Sequence, residues 1–227
     1  MICGIDEAGR GPLAGPVCAA AVVLPEIFPR DTLDDSKRLG KRRREEAAAM
    51  IYAKASAWGI GWATHSEIDK VNILEASLLA MMRAFHAMME EADEAFLREM
   101  LKAPRFEVIV DGNRKPSIPC PKRDAFSYDG DFSCRTLVKA DAQVPEVMAA
   151  SILAKTTRDA LMCDFALMYP SYGYEKHKGY PTKEHIRILK MVGPSPIQRL
   201  TFSYGEKGKQ KGPARARKHG CTSDSTR

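Results

Sequence analysis

Apolar positions change period several times along this chain, and the changes mark out its elements. Ile2–Ile5 is a short apolar segment that halts at Asp6-Glu7, and Gly9-Arg10-Gly11-Pro12 behind it reads as a loop. Val17–Leu24 is an unbroken run of small and β-branched residues between Pro16 and Pro25, the pattern of a buried strand. Lys41–Ala57 is rich in Ala, Arg and Glu and predicts a helix. Trp58–Ala63 then predicts a third strand, so the first three strands can form a meander. Leu74, Leu78, Met81, Phe85 and Met88/Met89 recur at helical spacing and predict one core-facing helix stripe. Phe106–Val110 is a strand pattern that stops at Asp111-Gly112, and Cys134–Val138 is a fifth. Val144–Leu167 predicts a long helix just after Asp141, with Ala149-Ala150-Ser151 permitting close packing. Thr182–Met191 predicts another, stopped by Gly193-Pro194. The expected fold class is α/β with a C-terminal helical extension.

Composition narrows the function classes. The chain has 227 residues, 44% hydrophobic and 28% charged, as in an ordinary globular protein. Its longest apolar run is eight residues, Val17–Leu24, too short to cross a membrane. Asp6 and Glu7 fall where a secretory signal would need apolar residues, so a cytoplasmic location is expected. Six cysteines are scattered without a CxxC pair, which argues against a zinc ribbon or thioredoxin-type site and for reduced, mostly buried thiols. The net charge of +6 is concentrated at the end: residues 204–227 hold seven Lys/Arg against Glu206 and Asp224, or +5, leaving +1 for residues 1–203. That tail, rich in Lys, Gly, Ser and Arg, is expected to be disordered. The body is no polycation, so nucleic-acid contacts there must come from local clusters.

Four acids stand at the edges of predicted elements: Asp6 and Glu7 after the first strand, Asp111 after the fourth, Asp141 before the long helix. Strand ends are where an α/β sheet places its ligand groups. Carboxylates without His or Cys partners suit the hard cations Mg²⁺ or Mn²⁺. Two such ions can clamp the attacking and leaving oxygens of a phosphodiester displacement. Spacing alone leaves plainer alternatives open, because Asp-Gly after a strand is often just a turn and Asp141 could be a helix N-cap. Gly9-Arg10-Gly11-Pro12-Leu13-Ala14 matches the dinucleotide fingerprint GxGxx(G/A), yet the prolines and the strand behind it replace the helix that fingerprint requires.

Six collinear motifs carry a more specific signal. Gly4-Ile5-Asp6-Glu7-Ala8-Gly9-Arg10-Gly11-Pro12-Leu13-Ala14-Gly15-Pro16-Val17 is similar to the opening of the bacterial type 2 ribonucleases H (ribonuclease HII). Asp35-Ser36-Lys37-Arg38-Leu39 resembles that family's DSK segment, and Ile68-Asp69 with Asn72-Ile73-Leu74 and Ala80-Met81 resembles its central-helix region. Val110-Asp111-Gly112-Asn113 resembles its strand-end acid, and Val138–Asp159 its fourth acid and following helix. Tyr172-Gly173 through His177-Lys178-Gly179-Tyr180 and Thr182 completes the resemblance, which runs from about residue 2 to 202.

The resemblance implies a ribonuclease H-like mixed β-sheet flanked by helices. It implies a catalytic domain over 1–167, a helical substrate-binding extension over 168–203 and the basic tail over 204–227. It implies an endonuclease that hydrolyses the RNA strand of RNA–DNA hybrids and cuts at ribonucleotides embedded in duplex DNA, acting as a monomer. It assigns catalysis to Asp6, Glu7, Asp111 and Asp141, with Asp6, Glu7 and Asp111 holding Mn²⁺ or Mg²⁺. Asp141 is the loosest ligand of the four, because a second metal can wait for substrate. Gly9, Arg10, Gly11 and Tyr180 are implied as readers of the RNA-to-DNA junction, where the 2′-hydroxyl is the group that distinguishes the sugars. His177 and Lys178, beside Tyr180, are expected near substrate. Two departures from the family pattern, Ala140 for Gly and Gln198 for His, put local loop geometry in question. The basic cluster Lys37, Arg38, Lys41, Arg42, Arg43 and Arg44 is either a solvated helix face or a phosphate grip.

Overall fold

The fold is described from a computed structural model, covering residues 1–33, 39–123 and 126–204. The DSK-like Asp35-Ser36-Lys37-Arg38 and all but the first residue of the basic tail lie outside the described residues. In chain order the elements are β1 (Ile2–Ala8), β2 (Val17–Val23), α1 (Lys41–Lys54), β3 (Ala57–Ala63), α2 (His65–Val71), α3 (Ile73–Glu91), α4 (Glu94–Lys102) and β4 (Arg105–Asp111). A two-residue-per-strand hairpin follows, β5 (Lys122–Arg123) and β6 (Phe126–Ser127), then β7 (Asp131–Leu137), α5 (Pro145–Met168), α6 (Tyr174–His177) and α7 (Lys183–Val192).

Five strands form one mixed sheet in the order β3-β2-β1-β4-β7. β1, β2 and β3 are the expected antiparallel meander, while β4 and β7 run parallel to β1. The period-two geometry of a strand explains why β2 is buried along its whole length: Val17, Ala19, Ala21 and Val23 face one core, Cys18, Ala20 and Val22 the other. The first core is closed by α3 and α4, the second by α1 and α5. Thus the α/β class holds, with helices on both faces.

Glycines decide how close those helices come. A side chain at Gly59 or Gly61 of β3 would collide with the α3 backbone at Ala80, Ala84 and Met88, and one at Gly4 of β1 would collide with α5 at Glu146 and Val147. Main chain therefore rests on main chain at the centre of both layers. This contact widens the buried face of α3 beyond the predicted stripe, whose Met81, Phe85, Met88 and Met89 are all buried. Ala76, Ala80 and Ala84 are buried beside Met81, Phe85 and Met88, while Leu74 and Leu78 are half-buried. Alanines pressed on glycines leave little trace in a hydrophobic pattern, whereas the leucines at the rim do.

Three helices, α2, α4 and the single-turn α6, were not foreseen. Thr64 and Glu67 form a reciprocal capping box on α2, and the Asp93 carboxylate caps α4. Asn72, at φ 77°, ends α2 and caps α3 in one step. The predicted helix over 41–57 stops at Lys54 because β3 already begins at Ala57. The C-terminal segment forms its own apolar cluster of Tyr172, Tyr174, Ile188, Leu189 and Ile197 against Leu13, Ala14 and Met162. Asp69 of α2 ties down its far end, accepting from the N–H groups of Leu200 and Thr201 at 2.9 Å each.

Candidate active site

Parallel strands β1 and β4 end side by side, and their last residues bring the acids together. Asp6 and Glu7 prove to be residues of β1 itself, rather than following it, and Asp111 closes β4. Successive side chains on a strand point to opposite faces, and Asp6 turns toward α5, where the Ser151 hydroxyl bonds it. Its Oδ1 also accepts the Glu7 N–H at 2.7 Å. Asp111 Oδ1 accepts the N–H of Ala140 at 2.8 Å. Arg10 bonds Glu7 Oε1 at 3.3 Å.

A cavity of about 230 Å³ is lined by Asp6, Glu7, Ala8, Gly9, Arg10, Gly11, Asp111, Ser151, Lys155 and Tyr180. Seven of the eight expected site residues are therefore in one place. Asp141 is the exception: it is buried in a separate helical turn, Ala140–Ala142, and does not line this cavity. It is not a helix N-cap either, since Val144 holds that position on α5. Ser151 and Lys155 are one turn apart on α5; from sequence Ser151 stands out only as a small residue for close packing, and Lys155 only falls within the family-like stretch 138–159. Their spacing of four on a helix following an acid was the available signal.

Electrostatically the acid end is unfinished. Burial, then the charges of Glu7 and Asp111, holds the Asp6 carboxyl well above the usual carboxylate range. Burial raises Glu7 as well, with Asp111 adding to the effect and Arg10 opposing it. Among the described residues no three His, Cys, Asp or Glu side chains are already gathered into a coordination cluster. The donors nonetheless fit a hard divalent cation: three carboxylates on one cavity, no soft ligand among them, and mutual repulsion that a cation would relieve.

The opposite wall is finished. Gly9, at φ 100°, packs directly on the Arg158 guanidinium, where any side chain would collide. Gly11 faces the Tyr180 ring, whose nearest carbon would lie 3.7 Å from a β-carbon placed there. Leu13 donates its N–H to Gly179 O at 2.8 Å, joining the glycine loop to the Tyr180 segment. Lys155 Nζ lies 5.5 Å from the Tyr180 ring centre and bonds Asp159 at 2.8 Å. His177 and Lys178 do not reach the cavity. The His177 ring is buried, bonded to Tyr172 O at 2.8 Å and to the Gly179 N–H at 3.2 Å. Lys178 Nζ turns back to Glu175 O and Cys163. His185, given no role from sequence, stacks on His177 at 4.2 Å and bonds Tyr180 O at 3.0 Å.

One of the two departures is absorbed and the other is not. Lys139, at φ 59°, takes the left-handed turn beside Ala140, which keeps its N–H on Asp111. Gln198 is buried, with neither amide atom bonded to protein. In the described part of the basic cluster, Lys41 and Arg42 pair with Glu45 and Glu46 one turn on, as on a solvated helix face, whereas Arg44 is largely buried and pairs with Asp159 of α5.

Comparison with known proteins places the chain in a family. The family model for ribonuclease HII matches residues 3–204. The ribonuclease HII of Treponema denticola is 51% identical over 203 residues, spanning 89% of this chain and 98% of that one. The solved ribonuclease H2 of Pyrococcus horikoshii OT3 superposes with a TM-score of 0.56 at 25% identity, covering 88% of this chain and 93% of that one. A Bst ribonuclease HIII solved in complex with Mn²⁺ has a TM-score of 0.57 at 16% identity, over 85% of this chain and 62% of that one. Family match and fold together make this chain a ribonuclease H-type nuclease, a hydrolase acting on the RNA strand of RNA–DNA hybrids with the help of divalent metal. Within that class, the chain belongs to the ribonuclease HII family.

Proposed function

We propose that this enzyme cuts continuous RNA in hybrids and, at single ribonucleotides embedded in duplex DNA, cuts on the 5′ side of the RNA-to-DNA junction, leaving 3′-hydroxyl and 5′-phosphate ends. The observation that carries this reading is that three carboxylates and a glycine loop facing an aromatic ring share one cavity. Asp6, Glu7 and Asp111 would hold Mn²⁺ or Mg²⁺, and a Mn²⁺ complex of a protein with this fold supports the first of these. When bound, such ions supply an activated water and neutralise charge developing on the phosphate. Ser151 and the Glu7 N–H hold the Asp6 carboxylate in place, and the Ala140 N–H does the same for Asp111. Asp141, on the same turn as Ala140, joins only when substrate and a second ion arrive.

Substrate orientation falls to the other wall. Among the described residues, the N–H groups of Gly9, Arg10 and Gly11 enter none of the loop or turn hydrogen bonds, which leaves them for the ribose 2′-hydroxyl. Tyr180, 37% exposed, offers its ring to the deoxyribose beyond the cut. Residues 1–167 act as the catalytic domain, 168–203 as the substrate-binding extension, and the tail from 204 as an added phosphate contact. The enzyme works as a monomer in the cytoplasm; no helix among the described residues is long and apolar enough to cross a membrane.

The deciding experiment is a cleavage gel on a DNA duplex holding one ribonucleotide, with Mn²⁺, with Mg²⁺ and with chelator. Cutting beside the ribonucleotide only when metal is present is expected. Cutting of hybrids but not of this duplex would restrict the enzyme to continuous RNA.

A further inference from the structure

Two arginines, Arg158 of α5 and Arg199 after α7, are fully buried and among the largest side chains inside the protein. Their hydrogen bonds all end on main-chain carbonyls. Arg158 donates through Nε to Pro16 O at 2.9 Å, through Nη1 to Lys178 O at 3.0 Å and through Nη2 to Ala14 O at 3.2 Å. Arg199 donates through Nε to Gly15 O at 2.9 Å, through Nη1 to Arg10 O at 3.0 Å and through Nη2 to Gly9 O at 2.6 Å. Five of these six carbonyls belong to the loop between β1 and β2, and the sixth to the segment carrying Tyr180.

Peptide geometry turns this list into a direction. In a planar trans peptide, a carbonyl and the N–H of the next residue point opposite ways. Arg199 draws the carbonyls of Gly9 and Arg10 inward, so the N–H groups of Arg10 and Gly11 must face outward. Gly11 looks onto Tyr180 across the cavity. Glycines alone would leave those peptides free to rotate. A guanidinium is a rigid planar fork that bonds several acceptors at fixed angles, which an ammonium group cannot reproduce.

We infer that Arg199 is a positioning residue for sugar recognition, aiming the N–H groups of Arg10 and Gly11 at the 2′ position, while Arg158 fixes the gap between that loop and Tyr180. This rests on the proposed reading of the glycine loop. Neither arginine touches substrate. Arg158 reaches Lys178 O and lies 5.9 Å from the Tyr180 ring centre. The Phe202 ring lies 5.1 Å from the Arg199 guanidinium carbon and covers it from behind.

The test compares single-turnover cutting of two duplexes that differ at one sugar, 2′-hydroxyl or 2′-fluoro, since fluorine is a poor acceptor for an N–H group. Arg199→Lys is expected to lower the hydroxyl-to-fluoro rate ratio at least about tenfold, the loss falling on the hydroxyl substrate. Arg158→Lys leaves the Gly9 and Arg10 carbonyls held, so it should keep that ratio but shrink the effect of Tyr180→Ala. Equal loss on both substrates in Arg199→Lys would overturn the inference and make Arg199 a folding residue. A wild-type enzyme indifferent to the two sugars would instead overturn the reading of the glycine loop. Should Arg199→Lys not fold, citrulline at position 199, introduced by ligating a synthetic segment at Cys163, keeps the shape and replaces one donor by an oxygen. The same loss of ratio is expected, and an unchanged ratio overturns the inference.

Discussion

The two walls of the cavity are built on opposite principles. The acid wall gathers Asp6, Glu7 and Asp111, where Glu7 and Asp111 raise the proton affinity of Asp6, and Asp111 that of Glu7. The reader wall gathers Gly9, Arg10, Gly11 and Tyr180 on two buried guanidiniums whose donors are spent on carbonyls. One wall is incomplete without a cation, and the other is complete before substrate arrives. The difference teaches where specificity and rate come from. On the proposed reading, a preformed donor array would discriminate between sugars at little reorganisation cost, whereas a repelling carboxylate set would make activity conditional on metal.

The strongest way to break this comparison is at Asp111. Asp111→Asn keeps the shape but removes a charge, and the cleavage rate should fall at least about 10³-fold, some 4 kcal/mol of barrier, with hybrid binding retained. Near-normal cutting would remove Asp111 from the metal set. On the reader wall, Tyr180→Ala should cost about ten- to a hundredfold, the loss of roughly 1–3 kcal/mol of stacking. Glycine-loop contacts persist, so cleavage at a lone ribonucleotide should suffer more than cleavage of continuous RNA. An unchanged ratio of the two rates would leave Tyr180 a packing residue.

Thermal melting separates the walls without any turnover. Mn²⁺ at about 100 times its dissociation constant should stabilise the wild type by about 2.7 kcal/mol. Asp111→Asn should lose most of that gain and Tyr180→Ala none of it. Equal metal-induced shifts in all three proteins would place the ion elsewhere. The smallest effect expected lies outside both walls. Arg83 bonds Glu67 at 2.7 Å and holds its carboxyl down at about 2. With its folded value depressed, Glu67 contributes stability above its ordinary range near 4.5, and that contribution is lost as pH falls toward 2. The pair is partly exposed, so Glu67→Gln should cost about 1 kcal/mol at neutral pH and nearly nothing at pH 2. A penalty that did not change with pH would show that the ion pair is not its source.

The acid wall was largely legible in the sequence, because Asp6-Glu7 and Asp111 sit at breaks in strand patterns where burial alone would not put them. Asp141 was legible as a residue but not as a place, since the turn that separates it from the cavity depends on Lys139 adopting a left-handed backbone. The reader wall was half legible. Gly9-Arg10-Gly11 and Tyr180 stood out by resemblance, whereas Arg158 and Arg199 passed unremarked. Apart from Lys178 O, the carbonyls these arginines bond lie 142 to 190 residues away in sequence, a distance that leaves no local pattern. The helices α2 and α4 were missed for a different reason. They are seven and nine residues long, short for a periodicity argument, although Thr64 and Glu67 at capping-box spacing marked the first.

Gly4, Gly59 and Gly61, where helix backbone rests on sheet backbone, should leave their own imprint on how the chain tolerates mutation. A saturation library selected for folding should find these three positions closed to every side chain, alanine included. Their strand neighbours Trp58, Ile60 and Trp62 are partly exposed on the α1 side of the sheet and should admit many replacements. Along β3 the selected sequences would thus alternate between permissive and invariant with a period of two, a tolerance pattern produced by the absence of atoms rather than by their chemistry.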